Sequence, residues 1–555
     1  MSGASRKSIA TELVRACRDA GTTHVFGVPG GGSNLDVVGA AIEQGMQFVL
    51  VHTETAAAIM AGVVGELTAA PGVCVATRGP GAASVVNGVA QALLDRQPLI
   101  AVTDCVAETD QARISHQRLD QQALMSPITK ASVVLDGTHP HDAIAAVALS
   151  LQGPPGPVHI DIDPGRPTPV RAPQAPAIVN SAPDELDAVR ELVAAAARPV
   201  IIAGVGVVAQ SLAVRHATVA AINELASATN TPVLCTYKAR GVTPDSQPWT
   251  AGVATGATIE SPLLHEADLI IGIGLDPVEL IPAAWPYAAP VVLLGGWQVD
   301  DSTFFEHHLH REVVGALPEL IAHIAPHLHT TWSHAAGAHY RVQAEHELRA
   351  AIPASANGLT PQQVVDLAAA AAPTGTIATV DAGAHMLVAM PLWPAEQPGE
   401  LLISSGLATM GFALPAAIAA ALARPDRRVV CFTGDGGIGM ALTELETAAR
   451  LKVNLTIVVF NDNTLSLIAA KQQPEGHGGA EAVTYLPTDF AAIARGCGMR
   501  AERVGDVSSY ANAVRAALAA DGPTLLDVAV DPSAYGDVLD AIRGARAVTA
   551  PASAG

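Results

Sequence analysis

The sequence predicts an α/β protein built from three doubly wound α/β domains with parallel sheets. Helix, strand, glycine-rich loop and helix recur in that order along the chain, the alternation that parallel sheets require. An apolar run breaks into closely spaced glycines in each third, at Gly27–Gly32, Gly204–Gly206 and Gly434–Gly437. At 555 residues the chain also has room for three or four units of about 150 residues.

Residues 8–19 place Ile9, Leu13, Val14 and Cys17 at helical spacing, and Gly21 stops that helix. A strand at Thr23–Phe26 enters the loop Gly27-Val-Pro-Gly-Gly-Gly-Ser33, which contains Gly30 and Gly31. Gln47–His52 reads as a strand and Thr55–Leu67 as a helix, within a first domain of residues 1–165. Proline-rich, aperiodic 166–183 is a linker. The middle domain, 184–326, starts with a helix and then the strand–glycine run Arg198-Pro-Val-Ile-Ile-Ala-Gly-Val-Gly206. A second linker covers 327–358. The last domain, 359–545, opens with a helix at Thr360–Ala371, a strand at Thr376–Val380 and the loop Ala382-Gly-Ala. This order echoes the first third, so the two are read as related units. The Ala/Pro/Ser/Gly-rich residues 546–555 are a frayed tail.

Composition narrows the function. Half of the residues are hydrophobic, 15% are charged and the net charge is −21, with no long Lys/Arg run. That balance argues against nucleic acid and anionic membranes as partners. The longest strongly apolar stretch, near Ala413–Ala423, falls short of the ~18 residues of a membrane span. Arg6 and Lys7 precede Glu12, Arg15 and Asp19, which interrupt any signal-peptide apolar region. Six scattered cysteines without a C-x-x-C pair fit reduced thiols in a cytoplasm better than a disulfide framework or a zinc site. A large acidic cytoplasmic enzyme is the expectation.

The sharpest feature is Arg427–Asn463. The strand Arg428–Thr433 ends in Gly434-Asp435-Gly436-Gly437, and a helix follows with Leu442, Leu445 and Ala449 on one face. The next strand, Leu455–Phe460, ends in Asn461-Asp462-Asn463. In a strand–helix–strand unit both strands point the same way. Asp435 and Asp462, 27 positions apart, therefore emerge together at the carboxyl edge of the sheet, where open α/β sheets bind ligands. Two carboxylates so placed repel unless a cation sits between them, and a hard oxygen site with few protein ligands suits Mg²⁺ that also holds phosphate. The glycines admit a close backbone approach and the helix N-terminus favours an anion. The alternative is that strand-end Asp and Asn residues only cap turns and helices.

Gly434-Asp435-Gly436 followed by Asn461-Asp462-Asn463 resembles the signature of thiamine diphosphate enzymes. The resemblance implies that Asp435 and Asp462 hold Mg²⁺ through side chains and Thr464 through its carbonyl. It also implies that Gly434, Gly436, Gly437, Leu465, Ser466 and Leu467 border the cofactor. Most of the family carry Asn at the Asp462 position; Asp is shared with catabolic acetolactate synthases. In the first third, His52-Thr-Glu54-Thr-Ala-Ala-Ala resembles the segment of the catalytic glutamate, whose carboxyl group drives the cofactor's aminopyrimidine to its imino form. On the residues alone, a helix N-terminal charge is the favoured reading of Glu54. Thr77-Arg-Gly-Pro-Gly-Ala-Ala-Ser-Val-Val-Asn87 is similar to the loop and helix that follow that glutamate. Gly30, Gly31 and Asn87 are thereby expected at the cofactor. Ser404-Ser-Gly-Leu-Ala-Thr-Met-Gly-Phe-Ala-Leu-Pro415 resembles the segment that bends the cofactor, with Thr409 beside it and Met410 as the wedge, although a lone Met is usually core filler. The family builds each site from two subunits, so a homodimer or homotetramer is implied.

The likeness spans about residues 5–540 and is closest to the FAD-free, catabolic type of acetolactate synthase. Ser115-His116-Gln117-Arg118-Leu119-Asp120, Ser126-Pro-Ile-Thr-Lys130 and Gly274-Leu-Asp-Pro-Val-Glu-Leu280 resemble segments of that type. An Arg-Phe-Asp-Asp string of FAD-binding relatives is missing, and Gly204-Val-Gly206 lacks the third glycine and acidic partner of a dinucleotide fingerprint. Neither FAD nor NAD is expected. The implied chemistry is decarboxylation of a 2-oxo acid such as pyruvate and carboligation to a second carbonyl compound, with the cofactor as nucleophile. Glu54 activates it; Gln117, His116 and Lys130 are candidates to orient or screen the reacting species. His116 and Lys130 also read as structural or surface residues. Lys471, where acetolactate synthases usually have glutamine, is a candidate partner for a substrate carboxylate or phosphate, or a solvated lysine. Pro474–Ala482 is read as a flexible loop able to act as a lid. A 2-hydroxyacyl-CoA lyase, a benzaldehyde-lyase type, a 2-oxo acid decarboxylase and a silent regulatory homologue are the alternatives. A CoA substrate would call for a basic patch, with Lys471, Arg495 and Arg543 as its candidates.

Overall fold

The computed structural model describes residues 5–544, apart from 140, 165, 167–169, 172, 174–179, 282, 300–301, 353–354, 356–357 and 473–478. The described residues form three six-stranded sheets, in each of which neighbouring strands pair in parallel. The first contains β1 (His24–Val28), β2 (Gln47–Leu50), β3 (Gly72–Ala76), β4 (Leu99–Thr103), β5 (Ala131–Leu135) and β6 (Pro157–Ile162), in the order β2-β1-β3-β4-β6-β5. The middle sheet contains β7 (Pro199–Ala203), β8 (Val233–Cys235), β9 (Thr250–Val253), β10 (Leu269–Ile273), β11 (Val291–Gly295) and β12 (Leu309–Val314), in the order β12-β11-β10-β7-β8-β9. The last contains β13 (Ile377–Val380), β14 (Leu401–Ile403), β15 (Val429–Gly434), β16 (Leu455–Asn461), β17 (Arg500–Val504) and β18 (Thr524–Ala529), in the order β14-β13-β15-β16-β18-β17. Counted from its own first strand, the last sheet repeats the winding of the first. The faint echo between the outer thirds of the sequence is a repeat of topology. The middle sheet is wound differently, in the order found in dinucleotide-binding α/β domains.

Local chemistry explains where elements begin and where the sequence reading fell short. The first helix runs Arg6–Asp19 because Ser5 caps it, accepting the Ser8 N–H; the hydrophobic period starts later than the cap. The single helix expected after β15 is two, Asp435–Ala441 and Glu444–Leu451. The stretch 327–358, read as a linker, contains a helix at Ala336–Ala350. Only Ala336, Gly337 and Leu348 of it are buried, so it shows no apolar stripe. Gly337 lets it lie on the backbone of Trp249, where a Cβ would come within 2.3 Å of the Trp249 carbonyl. Residues Pro164–Pro183 and the candidate lid Pro474–Ala482 fall largely outside the described residues, as does the tail 546–555. No helix among the described residues is long and apolar enough to cross a membrane.

Apolar cores cover both faces of each sheet, and the inner cores of the first and last units are continuous. Two helices join them, Glu54–Thr68 and Ala413–Ala423. Both are rich in alanine and buried on nearly every side, so their backbones approach closely. The three units meet at Asp95. Its carboxylate accepts the N–H groups of Ser405 and Gly406 from the last unit (3.0 and 2.8 Å) and lies 3.8 Å from the Lys238 ammonium of the middle unit. Nearby, Arg96 pairs with Asp276 at 2.8 Å, tying the first unit to the middle one.

Candidate active site

At the carboxyl edge of the last sheet, β15 and β16 are parallel neighbours with Gly434 opposite Phe460. Each then delivers a carboxylate. Asp435 is the first residue of its helix, and its Oδ1 accepts the Gly436 N–H at 2.6 Å. Its Oδ2 accepts the Thr464 N–H at 3.1 Å, and Asp462 Oδ1 accepts the same N–H at 3.0 Å. Ser466 donates its hydroxyl to Asp462 Oδ2 at 2.6 Å. One donor is shared between two largely buried acids, so charge is poorly compensated. Burial raises the pKa of Asp435, and burial together with the Asp435 charge pushes Asp462 up to about 7. A divalent cation held by both carboxylates would relieve that repulsion, and the all-oxygen donor set suits Mg²⁺. Among the described residues no group of three or more His, Cys, Asp or Glu gathers to hold a metal. The two carboxylates would therefore leave coordination positions for phosphate and water. Thr464, expected to ligate through its carbonyl, meets the pair through its N–H. The carbonyl accepts the Ser466 N–H at 2.8 Å.

The same cleft is bordered by Met410, Gly434–Gly437, Leu465, Ser466, Leu467 and Lys471. Two of the glycines have a steric reason. A Cβ on Gly436 would stand 2.6 Å from Leu465 Cδ2 and 3.3 Å from Met410 Cε, and one on Gly437 would stand 2.3 Å from Asp381 Oδ2. Bare backbone at a helix N-terminus is what a diphosphate group needs. Thr409 lies one residue from the cleft and donates to Asn87 Oδ1 at 3.2 Å, so Asn87 and Thr409 are joined across the two outer units.

Two cleft residues were missed by sequence reasoning. His385 is buried, stacks on Phe460 with ring centroids 5.2 Å apart, and its Nε2 has no hydrogen-bond partner among the described residues. Burial lowers its pKa to about 4, so the ring is neutral. It follows Ala382-Gly-Ala, the loop after β13, whose glycine pattern was the available signal. Tyr535 comes from the helix Tyr535–Arg543, which carries no motif, and Arg543, a candidate for a basic patch, reaches the cleft from the end of that helix.

A second cluster lies at the carboxyl edge of the first sheet. Glu54 is the first residue of its helix, behind the cap Thr53, whose hydroxyl accepts the Ala56 N–H at 3.2 Å. Its carboxylate lies against Gly81, where a Cβ would be 3.1 Å from Glu54 Oε1. Gln117, in the left-handed region at φ 55°, packs on Gly79 of the same loop. Gly30 abuts Thr77, and Gly31 has open space where a side chain would be. The loop bearing Glu54 is fixed from the last unit, since Glu444 Oε1 accepts the N–H groups of His52 and Thr53 at 3.0 and 3.2 Å.

The structure keeps other candidates apart. Lys130 donates its ammonium to the carbonyls of Gln152 and Pro154 at 2.5 and 2.8 Å. Burial and the nearby Arg96 charge lower its pKa to about 8. The side chain holds a loop and borders neither cleft. His116 is exposed on the loop before Gln117. Arg495, a candidate for a basic patch, instead donates to the Ala501 carbonyl at 3.1 Å. Within one chain Glu54 is absent from the lining of the Asp435–Asp462 cleft, and the cleft around Gln117 contains no residue of the last unit. In the middle domain Gly204-Val-Gly206 packs on the backbone at Gly274, and the Val205 N–H is taken by Glu279 at 2.7 Å.

Comparison with known proteins agrees with this layout. Residues 7–124 match the N-terminal TPP binding domain of thiamine pyrophosphate enzymes, 186–296 their central domain and 381–528 their C-terminal TPP binding domain. The chain is 30% identical over 541 residues to the catabolic acetolactate synthase of Raoultella terrigena, covering 92% of this chain and 93% of that protein. It is 29% identical over 558 residues to the acetolactate synthase of Bacillus subtilis strain 168, covering 95% and 94%. It is also 29% identical over 535 residues to the large subunit of acetolactate synthase isozyme 1 of Escherichia coli K12, covering 94% and 93%.

Proposed function

We propose, from the premise that this chain belongs to the thiamine diphosphate enzyme family, that it decarboxylates a 2-oxo acid such as pyruvate and joins the fragment to a second carbonyl compound, as an acetolactate synthase does. The observation that carries the reading is the Asp435–Asp462 pair at Thr464, set in a chain alike over nearly its whole length to acetolactate synthases.

Thiamine diphosphate supplies the nucleophilic carbon and the electron sink of the reaction. The chain's residues bind and orient it. Asp435 and Asp462 would hold Mg²⁺, and the bare backbone of Gly436 and Gly437 would receive the diphosphate. Met410 and Leu465 meet over Gly436 and would shape the bend between the two rings. Glu54 would accept and return a proton at the pyrimidine ring nitrogen, and Gln117 would border the reacting groups from the Gly79–Gly81 loop.

A complete site joins Glu54 of one subunit to Asp435 and Asp462 of another. Supporting this, Glu54 is absent from the lining of the Asp435–Asp462 cleft of its own chain, and apolar side chains stand exposed, including Leu119, Met440, Tyr485 and Leu486. The functional unit is thus at least a homodimer.

Incubation with thiamine diphosphate, Mg²⁺ and pyruvate, followed by mass spectrometry of the products, tests the reaction. Acetolactate is the expected product. Aldehyde and CO₂ alone would replace carboligation by simple decarboxylation.

A further inference from the structure

The chain has 52 acidic and 31 basic residues, so most of its cations find carboxylates. Arg96–Asp276, Arg240–Asp245 and Arg427–Glu400 are all paired at 2.6–2.8 Å. Lys471 and Arg543 depart from that pattern. Both border the Asp435–Asp462 cleft. Neither has a hydrogen bond or ion pair with a described residue, and Arg543 Nε is buried without a partner. They lie close enough that the Arg543 charge, after burial, lowers the pKa of Lys471. Two like charges on one cleft in an acidic chain leave a place for an anion.

Their position separates that place from the metal. The helices Ser466–Gln472 and Tyr535–Arg543 pack on each other. Both begin beside the carboxylate pair: Ser466 donates to Asp462, and Tyr535 lies near Asp462 and Asp435. Both end at the cations. At 1.5 Å per residue, the five positions from Ser466 to Lys471 span roughly 8 Å and the eight from Tyr535 to Arg543 roughly 12 Å. The cofactor's diphosphate would be met by Mg²⁺ and the Gly434–Gly437 backbone at the near end. The far end is also the seam with the middle domain, where Thr258 donates its N–H to the Ile542 carbonyl at 3.0 Å.

We propose that Lys471 and Arg543 form a subsite for a second anionic group, so that the enzyme takes a substrate bearing a carboxylate or phosphate in addition to its 2-oxo acid group. The substrate class rests on the reaction proposed above; the subsite itself does not. A lysine and an arginine facing one anion provide charge and several donors. The anion is either a second carboxylate on a compact 2-oxo acid or a phosphate of a longer acyl carrier reaching along the domain seam.

Calorimetry on the holoenzyme with thiamine diphosphate and Mg²⁺ decides between outcomes. Unreactive glutarate should bind about tenfold or more tightly than butyrate, and Lys471→Ala or Arg543→Gln should each reduce that preference by about tenfold. If free coenzyme A binds instead, with the same loss in the variants, the subsite stands and its anion is a phosphate. Equal binding of glutarate and butyrate with no binding of coenzyme A overturns the proposal. So does a loss of thiamine diphosphate affinity in the variant apoproteins that matches their loss of anion binding, because the cations would then serve the cofactor. In parallel, turnover of pyruvate and 2-oxoglutarate is measured with the wild-type holoenzyme. No turnover of either, alongside a retained glutarate preference, rejects the reaction and leaves the subsite intact.

Discussion

Glu54 and Asp462 show how placement changes the meaning of a carboxylate. Glu54 sits at the first position of a helix, where acids are common for reasons of charge alone. Its contact with Gly81, next to Gly79 and Gln117, supports a catalytic role. Glu54→Gln should lower turnover by at least about 100-fold while leaving circular dichroism and cofactor binding as in the wild type. Full activity in that variant would remove Glu54 from the mechanism. Asp462, with its pKa pushed up to about 7 by burial and by Asp435, holds a proton in the metal-free protein below that pH. Mg²⁺ must displace the proton, so its affinity should climb between about pH 5.5 and 8 and level off above. Calorimetric Mg²⁺ titrations across that range give the measurement, and a flat profile would contradict the coupling. Both residues were legible from short motifs. His385 was not, because a single histidine after a strand has no signature until its Nε2 is found buried and unpaired.

Among elements, the loop after β7 is informative. Its glycine pair looks like part of a dinucleotide fingerprint, and its sheet has the matching strand order. The backbone explains the glycines otherwise. A Cβ on Gly206 would lie 2.8 Å from Gly274 Cα, and Gly274 itself has φ 58°. Glu279 occupies the Val205 N–H that would face an incoming pyrophosphate. Gly206→Ala sets backbone against backbone, which no rotamer change relieves, and should cost about 2–4 kcal/mol, seen as a fall of several degrees in Tm. Gly39→Ala, with nothing within 4 Å in the helix Ser33–Glu43, should instead hold or slightly raise Tm. The reverse ranking would show that the glycine pair is not a packing device. The sequence exposed the glycines but not their partner, since Gly206 and Gly274 are far apart in the chain.

For the whole molecule, the separation of Glu54 from the Asp435–Asp462 cleft makes a stringent prediction. Glu54→Gln and Asp435→Asn homodimers should both be nearly inactive. Dimers mixed by co-expression should recover about a quarter of wild-type activity, because random pairing makes half of them heterodimers with one intact site each. No recovery in purified heterodimers would place both groups in one subunit's site. Within a chain, the outer units are bound through the Glu54–Thr68 and Ala413–Ala423 helices.

The sequence by itself determined the class of fold, the repeat between the outer thirds and the chemistry of the main site. Those depend on patterns carried within short windows: hydrophobic period, glycine at strand ends, and acids at fixed spacing across one strand–helix–strand unit. The tertiary structure decided which distant residues meet. It took Lys130 into a loop contact, turned a presumed linker into the helix Ala336–Ala350, brought His385 and Tyr535 to the Asp435–Asp462 pair, and set Arg543 beside Lys471. Each of these depends on contacts between segments remote in sequence, and the energy of a buried or unpaired charge exists only after those segments pack.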